Sequence, residues 1–352
     1  MSLASLYARQ ADLLDHLTAE GRAQLAKLTS RQLATLERAI MALKAGDLAS
    51  LKSAAMLALT SWLAGHLDKL GRLLAGRLRK SWIGGGRQLA DLLGQLDQAF
   101  LGDRQAYPWD APAWYTAGAE QHAATRAQPV QVSLARYAQA TTAKAEEELS
   151  RPGLAAAGAA LLLLRKRVWK AIRQALASTS WLLARLWDTE TSRAYNAGRM
   201  AGMLAEDQRA ARPGDRLAKQ LVATFDKVTG RDSVILHGQT VPVRSPFVDV
   251  TGRLYDHPPN RPHDREIVVP TRLAYAAALS PYQHDQPAGP PAGQRDRRGV
   301  IAAELVKRRE QLVRLERAAQ ATQDASAAGL LQDQLAVVGR QIRLLESQLA
   351  GT

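Results

Sequence analysis

The 352-residue chain contains no cysteine, which excludes disulfides, zinc–thiolate centres and cysteine nucleophiles. A thiol-free chain suits a reducing compartment, although many cytosolic proteins share the trait. Aromatic residues make up only 5% of the sequence, so its helices bury modest aliphatic stripes and need packing partners. The longest apolar run, residues 154–164, is too short to span a bilayer and is followed at once by Arg165, Lys166 and Arg167. The opening MSLASLYARQADLL lacks the basic flank and apolar core of a secretory signal. The expectation is a soluble protein rather than a membrane one. Acidic residues are also in deficit, 33 against 47 Lys and Arg, which leaves a net charge of +14. Such an excess attracts polyanions, of which nucleic acid is the usual one, or it marks a generally basic solvated surface.

The residues that are present divide the chain into segments. Residues 1–106 are rich in Ala, Leu, Arg and Gln with apolar spacings of three and four, which predicts a helical arm or bundle. Gly21 and the Gly46, Asp47 pair read as breaks, and Gly84, Gly85 and Gly86 as a stronger hinge. Residues 107–135 begin with YPWDAPAW, where Pro108 and Pro112 oppose regular helix. The aromatic rings of this loop either dock a partner or clamp the loop to its own domain. Residues 136–212 are again helical. Within them Arg165, Lys166, Arg167, Lys170 and Arg173 interleave with Val168, Trp169 and Ile172, a pattern that suits a membrane surface, a phosphate backbone or a solvated face.

Residues 213–270 are different in kind. Pro213, Gly214 and Asp215 form a turn, Arg216 to Asp226 read as a short helix, and a Val-, Pro-, Gly- and His-rich stretch follows. There Ile235, Val241 and Val243 flank a tight turn at His237 and Gly238, while Phe247, Val248 and Val250 form a strand closed at Thr251 and Gly252. Pro258 and Pro259 impose an irregular loop, and Ile267, Val268 and Val269 form a last strand ended by Pro270. A Pro/Gly-rich linker (271–299) leads to residues 300–352, whose two apolar runs are out of heptad phase and therefore predict a helical hairpin. The fold class is α+β and predominantly α-helical: helical arms and a bundle around one small β-containing unit, with a C-terminal helical hairpin.

The odd segment gathers His237, His257 and His263 with Asp232, Asp256, Asp264 and Glu266, donors that suit an imidazole–carboxylate metal site. Their spacing matches no helical HExxH pattern. His237, Asn260 and His263 have the order of a His–Asn–His nuclease, but Asn260 sits among prolines and no clear helix follows. A P-loop and a G-x-S-x-G elbow are both lacking, and the glycine triplet lacks the strand-to-helix setting of a dinucleotide fingerprint. The residues point to no metal, no cofactor and no catalytic constellation.

An ordered set of residues does carry a resemblance. Thr189, Glu190, Ala194, Asn196, Gly198 and Arg199 precede Asp226, Asp232, His237 and Gly238, then Phe247, Gly252, Pro258 and Pro259, and finally Glu266 to Val269. This order resembles the phage Mu F-like minor head proteins, the head-morphogenesis family of tailed phages, over roughly residues 187–270. Where many relatives end in a Cys-Arg-Cys strand, this chain has Asp264, Arg265, Glu266 and Ile267, so cysteine-dependent chemistry is absent and the block is expected to act as a fold element. The resemblance implies a low-copy protein of the virion head interior, made in the host cytoplasm. It would contact the portal or major capsid protein, act in head morphogenesis and DNA packaging or ejection, and self-associate through helical arms. Nonspecific phosphate contacts would come from Arg165, Lys166, Arg167, Lys170, Arg297, Arg298, Lys307, Arg308 and Arg309. The alternatives are a metal-dependent nuclease or transferase-like enzyme using His237 and His263, and a membrane-active ejection protein using the helices of residues 154–187.

Overall fold

The computed structural model describes residues 3–45, 47–102, 107, 112–151, 161–211, 213–223, 231–249, 251–259, 266–272, 297–321 and 325–350. It is a predominantly α-helical α+β protein. The helices are α1 (Leu3–Met41), α2 (Leu48–Leu101), α3 (Pro112–Ser150), α4 (Leu161–Arg209), α5 (Arg231–Leu236), α6 (Arg297–Ala321) and α7 (Ala325–Ala350). The strands are β1 (Leu217–Val222), β2 (Thr240–Pro242), β3 (Phe247–Val248), β4 (Leu254–Tyr255) and β5 (Ile267–Arg272). The chain forms two compact units, one of Leu17–Lys80 and Ala119–Thr191, the other of Met1–His16, Ser81–Gly118 and Ser192–Thr352.

The first unit is an up-and-down arrangement of four helical segments. α1 and α2 run antiparallel, since Trp62 Nε1 donates to Gln32 O at 2.8 Å while Arg77 Nη1 reaches Glu20 at 3.1 Å. α3 and α4 are antiparallel as well, with Arg126 paired to Glu190 at 2.8 Å and the Thr141 and Thr179 hydroxyls bonded at 2.8 Å in the core. Near one end, carboxylates hold cations from neighbouring helices: Asp188 takes Arg22, Glu20 takes Arg77 and Lys80, and Glu120 takes Arg79. Asp47 caps α2 by accepting the Ser50 N–H at 2.7 Å. Length and composition alone would let Leu48–Ala99 cross a bilayer. Leu51, Ala55, Leu59 and Leu63 are nevertheless buried at every fourth position, which is the stripe of a bundle helix.

The second unit is built on a three-stranded antiparallel sheet of order β2-β1-β5, joined by a β3–β4 hairpin. β1 pairs with β2 (Lys219↔Val241) and with β5 (Gln220↔Val269). Its core gathers Leu89 and Leu93 of α2, Met200 and Met203 of α4, Leu217, Leu221, Val243, Phe247 and Val268 from the sheet region, and Leu344 of α7. α6 and α7 pack through Ile301, Leu305, Val338, Ile342 and Leu345, and Ile235 of α5 joins the same cluster. The expected helical hairpin is therefore docked onto the sheet unit rather than free.

Several expectations are corrected. Residues 217–222 are the central strand, not a helix, because flanking partners on both sides bury all six residues and override local propensity. Ile235 lies in α5 rather than a strand. Pro270 does not end the last strand; β5 continues to Arg272. The stretch expected as a loop over 107–135 is mostly α3, with Pro112 at its first position, where the missing N–H costs nothing. Pro129 lies inside that helix. The aromatics clamp their own unit: Tyr107 and Tyr115 are buried, and Trp82 lies 5.1 Å from Trp114 and 6.5 Å from Tyr115 between centroids. Gly21 is inside α1, and Gly85 and Gly86 are inside α2. Gly46, Pro108, Trp109, Asp226, Val250, Asn260, His263, Asp264 and the linker over 273–296 lie outside the described residues.

Candidate functional site

Most of the resemblance-bearing residues lie on the sheet or on the α4 segment beside it; Thr189 and Glu190 belong to the four-helix unit, where Glu190 pairs with Arg126, and Asp226 lies outside the described residues. β5 is an edge strand, and the backbone groups of Glu266, Val268 and Pro270 point away from β1. Asn196 of α4 meets them with its whole amide: Nδ2 donates to Glu266 O at 3.1 Å and Oδ1 accepts the Val268 N–H at 2.9 Å. One helical turn on, Arg199 Nε donates to Val268 O at 2.7 Å and its Nη1 to the Tyr195 hydroxyl at 3.0 Å. The i,i+3 spacing puts both side chains on one helix face. Pro270 has no N–H to leave unsatisfied, which is why proline is tolerated at that edge. Asn196 and Arg199 thus replace the neighbouring strand that β5 lacks.

Gly198 serves the same assembly by closeness. A Cβ on Gly198 would lie 2.0 Å from Trp82 O, and one on Gly85 would lie 2.0 Å from Tyr195 O. Each glycine faces the carbonyl three residues before the other, so α2 and α4 cross with backbones in contact. The glycine triplet is a helix-crossing site, not a hinge.

His237 is buried, at 1% exposure, and its Nδ1 accepts the Ala223 N–H at 3.1 Å just past the end of β1. That contact makes Nδ1 the unprotonated nitrogen of the ring. Gly238, at φ 78°, turns the chain so that its N–H reaches Leu221 O at 2.7 Å. Asp232 lies in the first turn of α5. Phe247 is fully buried, 5.6 Å from the Tyr255 ring. Gly252, at φ 81°, closes the β3–β4 turn, where Asp249 Oδ1 accepts the Thr251 and Arg253 N–H groups at 2.8 and 2.9 Å. Pro258 and Pro259 are buried, and His257 Nδ1 lies 2.7 Å from Pro258 O. Burial lowers the His257 pKa, a shift only partly offset by that carbonyl.

Sequence reasoning missed three buried charges. Lys219 occupies the core face of β1 between Leu217 and Leu221, donates to Asp256 O at 2.6 Å and sits 4.8 Å from the Phe247 centroid. Burial pulls its pKa down to about 8. Arg272 at the end of β5 grips Asp97 bidentately at 2.8 and 2.9 Å, Glu206 at 3.0 Å and Asp215 O at 2.8 Å. Asp207 accepts the Leu217 N–H at 3.1 Å along with Arg216 and Arg244; burial works against its charge, but these donors outweigh it and hold its pKa low. Arg272 and Asp207 stand at a strand end and a helix end, where a solvated loop would also place them, and Lys219 within β1 breaks the apolar alternation of a core strand.

Chemically the arrangement is a set of backbone clamps. Among the described residues, no group of three His, Asp or Glu side chains is placed to hold a metal ion. His237 spends its described nitrogen on the sheet. The candidate phosphate contacts divide. Lys166, Lys170, Arg298 and Lys307 are exposed, and Arg165 and Arg167 are half-buried. Arg308 pairs with Glu304 and Gln311, and Arg309 pairs with Glu346 at 2.7 Å. The side chain of Arg297 lies outside the description. Charge is unevenly shared: residues 17–80 and 119–191 hold 21 Lys and Arg against 10 Asp and Glu, while the sheet-bearing remainder holds 26 against 23. No protein-family model, curated protein or solved structure matches the chain.

Proposed function

We propose that the chain is a structural minor head protein of a tailed bacteriophage, internal to the capsid and associated with the portal or major capsid protein. The observation that carries this reading is the use made of the resemblance-bearing residues: Asn196 holds the edge of β5, Gly198 lets two helices touch, and His237 ends β1. Residues spent on backbone hold a scaffold, whereas a nuclease or transferase would need them turned toward a substrate. The four-helix unit, with its surplus of 11 positive charges, supplies nonspecific contacts to packaged DNA through Lys166, Lys170 and their neighbours.

Quantitative mass spectrometry of purified procapsids, filled heads and emptied heads of the source phage tests the proposal. Low-copy presence in procapsids and filled heads is expected, and depletion on emptying would add a role in ejection. Absence from every particle would overturn it.

A further inference from the structure

We propose that the end of the four-helix unit at which α4 begins docks on an anionic lipid bilayer. Within that unit, Arg22 pairs with Asp188, which sets Arg22 of α1 level with Asp188 of α4, and Arg126 of α3 pairs with Glu190 at the same level. Because α1 and α2 are antiparallel, as are α3 and α4, the C-terminal end of α1 and the first turn of α4, at Leu161, both lie at the opposite end, about 40 Å along α4 at 1.5 Å per residue. At that end α4 begins with three exposed leucines, Leu161 at 38%, Leu162 at 53% and Leu163 at 45%. Leu57 of α2, at 74%, is the most exposed of the large apolar side chains. Three consecutive helical positions point in widely different directions, so no single neighbouring helix can cover them.

Cations follow these leucines along α4. From Leu161 to Trp187 the helix carries six Lys and Arg and no Asp or Glu. Lys166, Lys170 and Arg173 are exposed at i, i+4 and i+7, one face of α4, and Lys44 is exposed in the α1–α2 connection. Glu147 and Glu148, nearby on α3, are neutralised by Lys144 and Arg151. A DNA backbone would use the cations but gains nothing from exposed leucines. An anionic bilayer uses both, burying the leucines below the headgroups while Lys and Arg stay among the phosphates. The helix end enters the interface and does not span it. This proposal is independent of the head-protein reading, because its assay needs no phage particle.

Flotation of the full chain with vesicles decides it. Phosphatidylcholine vesicles containing 30% phosphatidylglycerol are compared with phosphatidylcholine alone, and a DNA mobility-shift assay is run in parallel. The wild type is expected to float at least tenfold more with the anionic vesicles. Replacing Leu161, Leu162 and Leu163 together by Ser should cut flotation at least tenfold and leave DNA affinity within twofold, with an unchanged circular-dichroism melt because the side chains are exposed. Leu57→Ser gives a second, smaller loss from a different helix. The idea fails if the wild type does not float, if the triple variant floats like the wild type, or if DNA affinity falls with flotation. It also fails if the leucines prove to seal a dimer that the triple variant dissociates.

Discussion

The sheet-bearing unit and the four-helix unit use charge in opposite ways. The former is nearly balanced and hides its charges: Arg272 grips Asp97 and Glu206, Asp207 grips Arg216 and Arg244, and Lys219 sits under Phe247. The latter carries most of the net charge of the chain; it buries Arg77, Asp188 and Glu190 in ion pairs but leaves Lys166, Lys170 and Arg173 exposed. A buried charge pair contributes little net stability but enforces one geometry, because breaking it strands the survivor. An exposed cation contributes little to folding and remains available to a partner. Apolar exposure differs less: Leu161, Leu162 and Leu163 are exposed at the start of α4, while the sheet-bearing unit buries Phe247, Val268 and Ile267 fully but exposes Leu254 and Val306.

The comparison is broken most severely at Asn196. Asn196→Ala would strand the buried Val268 N–H and remove a donor from the Glu266 carbonyl, at about 1–3 kcal/mol for the stranded N–H alone. Urea unfolding should show this loss, and hydrogen exchange should show β5 losing protection before β1. A loss below about 1 kcal/mol would mean that pairing with β1 alone secures the strand.

In the four-helix unit the corresponding weak point is His66, fully buried and stacked on Trp62 at 4.5 Å. Burial, with the Lys69 charge adding to it, lowers its pKa from 6.5 to about 4. The folded state therefore excludes the proton that the unfolded chain accepts. Stability is fully present above about pH 6.5 and is lost as pH falls toward 4, by on the order of 3 kcal/mol for this group. Carboxylates titrate lower in the same range, so the informative quantity is the difference between the wild type and His66→Phe. That difference should grow in favour of the variant below pH 6. A flat difference would show that water reaches the ring.

Much of this fold was legible in sequence. The four-residue stripe of Leu51, Ala55, Leu59 and Leu63 announces a packed helix, and the phase break between the last two apolar runs announces the hairpin of α6 and α7. Turn chemistry placed Gly238 and Gly252, both at positive φ. What was not legible depends on partners distant in sequence. β1 contains Lys219 and Gln220, which no local pattern assigns to a buried central strand; only β2 and β5 on its flanks make it one. The glycine triplet read as a hinge because the Tyr195 carbonyl that it admits lies over a hundred residues away in the chain. The resemblance picked out Asn196 and His237 as positions, but only the hydrogen bonds to Glu266, Val268 and Ala223 give them roles.

The smallest expected effect sharpens the comparison from the other side. Arg309 on α6 and Glu346 on α7 are joined at 2.7 Å, yet their side chains are 60% and 45% exposed. Water screens such a pair and ordering two long side chains offsets its attraction, so Arg309→Ala should cost less than about 0.5 kcal/mol. Ile342→Ala in the same hairpin removes a buried side chain packed with Ile301 and Leu305 and should cost about 2–5 kcal/mol. Thermal melts of the two variants separate the contributions. If Arg309→Ala proved the costlier, the two helices of the hairpin would be held together by surface charge, and salt alone should then loosen them. If the order is as expected, the hairpin belongs to the buried, specified part of the molecule although its surface is as rich in arginine as that of the four-helix unit. Exposure of a charge, rather than its number, would then separate what this chain uses to fold from what it offers to a partner.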